Sequence, residues 1–182
     1  MTILIAAAIC AAGISQVEGE AGLYAPLLRE RYHGTPASQM VVKDSAVAMP
    51  SLRGSAIEWR RQFDDTPSEL RRAASEPSPT ITRRLERSDL PAGTRLVRAH
   101  DVDALFASPD LEANWIAFRT EYNARGWLTF SDGLLAADRL SVLVYYEARC
   151  GGTCGEGGYV WLRRETVGSP WRTAKRIVAW MS

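Results

Sequence analysis

The stretch RCGGTCGEGGYVWL, residues 149–162, constrains the fold more than any other part of the chain. Two cysteines stand four apart among five glycines, and an aromatic, β-branched run follows at once. Glycine costs about 1 kcal/mol per residue in a helix interior, so a helix is excluded here. The composition suits a chain reversal between two strands, with glycines permitting positive φ and close backbone approach. Upstream, LSVLVYYEAR alternates cleanly. Val142, Val144, Tyr146 and Ala148 share one face; Leu143, Tyr145, Glu147 and Arg149 share the other. The two runs predict a β-hairpin turning between Cys150 and Gly158.

Four uses of the cysteine pair are open. A structural disulfide, Cys150 to Cys154, would pin the hairpin register, where a one-residue slip turns every side chain over. Chain-entropy bookkeeping for so small a ring gives about 2 kcal/mol of stabilisation. A redox pair normally has two intervening residues and a helix starting at the first cysteine; here there are three, with no helix. A copper or zinc clip through Cys150 and Cys154 needs more ligands than two thiolates. The chain offers only His33 and His100, of which His100 is the better third ligand. Last, the glycine amides could form an anion-binding nest, with Arg149, Arg163 and Arg164 nearby in sequence. The disulfide is favoured, and no cofactor is predicted.

The rest of the C-terminal half reads as an antiparallel meander on a helix. In DLEANWIAFRTEYNARG, Leu111, Trp115, Phe118 and Tyr122 form one helical stripe, closed by Gly126 as a cap. Strands follow at WLTFS, LSVLVYYEAR, YVWLRRET and WRTAKRIVAWMS, separated by turns at 131–133, 150–158 and 168–170. Before them, TRLVRAH is a strand, and DVDALFAS a short helix capped by Asp101.

The N-terminal half is predicted to be mainly helical. Leu23, Leu27, Leu28 and Tyr32 give a helix over 20–33. A strand follows in QMVVKDSAVAM, then a short helix in SAIEWRRQF. TPSEL is a capping box, with Thr66 as N-cap and Glu69 reaching back, for a helix ending near Ser75. Residues 76–94 are polar and proline-punctuated, a surface excursion. The expected class is α+β, one domain over 16–182.

Residues 1–15 carry no charged side chain and are too short to span a bilayer. They are a signal peptide in outline, with Gly13 and Ser15 suited to a cut after Ser15, though no basic residue follows Met1. Cys10 is no lipoprotein anchor, because Ile9 stands where a small residue is needed. The mature chain would keep one cysteine pair, as an oxidising compartment favours. The location expected is periplasmic or secreted, with no stable membrane span after signal removal. Net charge is +1, which gives no bulk attraction to nucleic acid. Two of the 22 basic residues are lysine, so abundant arginine is no functional signal by itself.

One resemblance rests on particular residues. Trp115, Phe118 and Tyr122 form a Trp-x-x-Phe-x-x-x-Tyr helix; Gly126 and Ser131 flank the next strand; Val144 and Tyr145 lead into Cys150-Gly151-x-x-Cys154-Gly155; Trp171 opens the last strand. Over residues 95–182 this resembles an uncharacterised family of exported bacterial proteins, which implies no activity. The chain departs from that pattern at DGLLAAD, where many members have an aromatic.

Chemistry is thinly supplied. Ser131-Asp132-Gly133 is what a turn requires, and no Gly-x-Ser-x-Gly is present. His100, Asp101 and Asp103 are the densest polar trio and the alternative site, for a small secreted hydrolase. The favoured expectation is a non-catalytic binding or envelope protein with an unknown protein or small-molecule partner. Its candidate ligand residues are Arg149, Arg163, Arg164, His100, Asp101 and Asp103.

Overall fold

A computed structural model of the chain describes residues 22–51, 61–62, 64–76 and 83–182, with the backbone alone of 15–16. Residues 1–14 of the expected signal and most of the helix expected at 55–63 lie outside the described residues. In chain order the elements are β1 (Ser15–Gln16), β2 (Arg31–Tyr32), β3 (Thr35–Pro36), β4 (Met40–Lys43), α1 (Ser68–Ser75), β5 (Leu96–Val97), α2 (Ala99–Leu105) and α3 (Leu111–Tyr122). Then come β6 (Gly126–Phe130), β7 (Leu134–Leu135), β8 (Ser141–Gly151), β9 (Cys154–Arg163) and β10 (Arg172–Met181).

Eight strands form one sheet, and β2 with β3 forms a separate small hairpin. The C-terminal part is the expected antiparallel arrangement: β6 and β7 lie along β8, β8 pairs with β9, and β9 with β10. The meander alone is nevertheless the wrong description of the sheet. It is mixed, because β4 lies between β5 and β6 and runs parallel to both. Parallel strands need long connections: residues 44–95 lead from β4 to β5, and α2 and α3 carry the chain from β5 over to β6 on the other side of β4.

The mainly helical N-terminal half is also overturned. Up to residue 94 the described residues hold one complete α-helix, α1, and a helical residue at Arg61, beside three 3₁₀ turns and short strands. Over the described residues 22–33, part of the helix expected at 20–33, there is no α-helix. A 3₁₀ turn covers Leu27–Arg29, and the chain then reverses at His33 and Gly34, with φ of 45° and 78°. Two consecutive positive-φ residues make the mirror-image turn that matches the twist of a two-residue hairpin. Leu23, Leu27 and Tyr32 are buried all the same, so their spacing marks the core without making a helix. Within 76–94, Leu85 and Leu90 enter the main core; residues 77–82 are outside the described residues.

The caps differ from expectation as well. Thr66 makes no cap for α1; Pro67 precedes it and no side chain caps it. Helix α2 starts at Ala99, whose N–H donates to Asp44 Oδ1 at 2.7 Å, so a residue from the end of β4 does what Asp101 was expected to do. Helix α3 opens on Asp110, which accepts from the Ala113 N–H at 3.0 Å, and ends on Asn123 at φ 43°. Asparagine tolerates that left-handed position better than most residues. Gly126 begins β6 instead, where a Cβ would collide with the Arg149 carbonyl.

Both faces of the sheet are covered. Val142, Val144, Tyr146 and Ala148 of β8 join Leu128, Phe130, Val160 and Leu162 under the N-terminal segment. Tyr24 stacks on Phe130 and Tyr32 meets Tyr146 at a tilt, ring centres 5.0 Å apart in each pair. On the opposite face Leu143, Tyr145, Tyr159 and Ile177 pack with Leu70 and Ala74 of α1. Beside them α3 sets Trp115 flat on Trp127 at 4.8 Å, with Phe118 and Val41 beneath.

Candidate functional site

The cysteine turn is a staple. Gly151 pairs with Cys154 in the ladder, Cys150 sits at a register shift, and only Gly152 and Thr153 form the loop. Cys150 and Cys154 form a disulfide across it, Cα atoms 5.0 Å apart. The glycines make no nest, because none of those between 151 and 158 has positive φ. Gly158 serves close approach: a Cβ there would strike the Ile177 carbonyl of β10. Among the described residues no group of three His, Cys, Asp or Glu side chains stands together.

The three candidate arginines do not converge. Arg149 lies near the stapled end of the sheet, its guanidinium 4.3 Å over Trp180. Arg163 and Arg164 are at the far end and on opposite faces, as strand alternation requires. Arg163 is exposed near Trp161, whereas Arg164 is buried, 4.2 Å over Trp171. His100, Asp101 and Asp103 are all exposed on α2. Asp103 is engaged by Lys43 at 2.6 Å.

Of these residues Arg164 borders a cleft among the described residues, a space of about 510 Å³. One wall is Gly22, Ala25, Pro26 and Arg29 from the N-terminal segment. The other is Arg164 with Val167, Gly168, Ser169, Pro170 and Trp171, from the connection between β9 and β10. The loop is braced from within. Thr166 N–H donates to Ser169 Oγ at 3.1 Å, and that hydroxyl donates back to the Thr166 carbonyl at 2.8 Å. Gly168 takes φ 92°, which an L side chain would resist. Arg164 is fixed by its Nε donating to the Arg139 carbonyl at 2.8 Å and by the indole beneath it. Trp171 is itself part of the main core. Among the described residues the lining holds two arginines and no carboxylate. Arg29 and Trp171 escape sequence reasoning, since Arg29 sits in a segment with helical spacing. The available signal is the Gly168-Ser169-Pro170 turn between a buried-face arginine and a tryptophan.

Two other polar groupings are consumed by the fold. Glu156, buried in β9, accepts from the His33 N–H at 2.7 Å, from the Tyr146 hydroxyl at 3.1 Å and from the Arg176 guanidinium. Arg176 also donates to the Tyr146 hydroxyl and to the Arg31 carbonyl, both at 2.9 Å. This network ties the β2–β3 hairpin onto the sheet. Arg83 binds buried Asp89 at 2.6 Å and lies 3.7 Å from Asp132, below Tyr24, whose hydroxyl donates to the Ser131 carbonyl at 3.1 Å. Burial, with Asp132 nearby, pushes the Tyr24 phenol well above its ordinary range.

Set against protein-family models, curated proteins and solved structures, the chain matches none. Among the described residues no helix is long and apolar enough to cross a membrane.

Proposed function

We propose that this is an exported, non-catalytic binding protein that takes a small ligand in the cleft between the N-terminal segment and the β9–β10 connection. The cleft carries the reading: it has the size of a small-molecule site, apolar walls and a few fixed polar groups. Export is supported by the uncharged apolar run over residues 1–15 and by a cysteine pair at disulfide geometry, a bond that persists in oxidising compartments. Binding is preferred to hydrolysis because the His100 trio stands exposed on α2, away from the cleft lining.

The test uses anilinonaphthalene sulfonate, an apolar aryl anion that fluoresces when shielded from water. One saturable site is expected on the native protein. Ala25→Trp, which fills the cleft, should abolish it while the melting temperature holds. Binding that never saturates, or that survives the substitution, refutes the proposal.

A further inference from the structure

We infer that the ligand is an amphiphilic carboxylate whose head group is held by Arg29; this rests on the reading of the cleft as a binding site. The two arginines of the lining have different situations. Arg164 is buried, pinned by the Arg139 carbonyl and stacked on Trp171, so it shapes the wall. Arg29 is exposed at the end of its 3₁₀ turn, and among the described residues its guanidinium has no hydrogen bond or ion pair. A guanidinium offers parallel N–H donors that match a carboxylate in a bidentate fork.

Among the described residues no acidic side chain stands in the lining. The neighbouring carboxylate of Glu165 lies 3.5 Å from Arg172 instead. Most of the remaining lining is apolar: Ala25 and Pro26 from the N-terminal segment, with Val167, Pro170 and Trp171 from the β9–β10 connection. Val167 is 60% exposed, a large aliphatic side chain left uncovered at the rim. A bare inorganic anion would leave that surface wet, and a neutral hydrocarbon would leave Arg29 without its partner. A carboxylate with an apolar chain satisfies both.

The experiment is calorimetric titration of the full chain with octanoate, octanol and inorganic phosphate, each below any aggregation threshold. Octanoate should bind at least about tenfold more tightly than octanol, the worth of a charge-assisted hydrogen bond. Arg29→Gln should remove that preference and leave octanol within about twofold, and Arg29→Lys should keep most of it. Octanol equal to octanoate, a preference that survives Arg29→Gln, or phosphate binding as well as octanoate overturns the inference. If neither eight-carbon probe binds but anilinonaphthalene sulfonate still fills the cleft, the ligand class is wrong and the site stands. If that dye fails too, the site itself is wrong.

Discussion

Glu156 shows how one residue can fix the position of a whole segment. Its side chain is 6% exposed, yet it carries a charge, which is tolerable only because three donors surround it. One donor is the backbone N–H of His33, at the tip of the β2–β3 hairpin. Glu156→Gln keeps the shape and removes the charge facing Arg176. We expect a loss of about 2 kcal/mol in unfolding free energy, below the range for breaking a fully buried pair because Arg176 keeps 22% exposure. Adding Arg176→Met should cost clearly less than the sum of the two single changes, since the isolated charge is then gone. Denaturant titration of the four chains checks this, and strict additivity would remove the network from the account.

Between residues and the molecule stand the elements, and the hairpin of β8 and β9 is the central one. The staple acts on the unfolded chain by closing a small loop, so its contribution should be modest. Replacing both cysteines, Cys150→Ser with Cys154→Ser, should lower stability by about 2 kcal/mol and leave the register intact. Amide exchange along β8 and β9 would detect a slipped register as protection lost on alternate residues. At this scale the sequence was legible wherever a period ran unbroken. The stripe of α3 and the alternation of β8 were readable because each repeats over several turns or pairs, and the cysteine turn because glycines leave few choices. What failed was set by partners distant in sequence. Nothing in MVVK says that β4 pairs in parallel with strands more than fifty residues away, at Leu96 and Gly126. Asp44, not Asp101, caps α2 for the same reason. The leucines of 23–28 obey helical spacing, but that stretch ends in a 3₁₀ turn at Leu27–Arg29 and the chain reverses just after it, at His33 and Gly34. The cleft was half legible: Arg164 was named from sequence, while Arg29 arrives from the misread segment.

At the scale of the whole molecule, the two covered faces of the sheet leave a mark on its pH response. The chain has six tyrosines, and every one has its phenol raised above the ordinary value near 10. Burial is the leading cause throughout, because a phenolate inside the core would lose its hydration. For Tyr145 the value is pushed up to about 12, with the nearby Glu147 adding to burial and the Trp180 indole N–H opposing it. The unfolded chain ionises these groups near pH 10, whereas the folded chain holds their protons. Between those limits the native state binds more protons than the unfolded state, so stability falls as pH rises. The contribution is whole below pH 10 and is lost as pH climbs through the folded values. Each retained proton costs about 1.4 kcal/mol per pH unit above 10. Five of the six phenols are buried, Tyr122 being the half-exposed one. Together the most strongly shifted of them make the slope several kcal/mol per unit, against a total stability of about 5–15 kcal/mol. Alkaline unfolding should therefore be abrupt and complete by about pH 12. Phenolate absorbance followed beside circular dichroism should show about one tyrosine, Tyr122, titrating before the fold is lost and the other five rising together with it. Several phenols ionising reversibly while the sheet signal persists would mean that the aromatic layers are wetter than the packing of Tyr24, Tyr32 and Tyr146 requires.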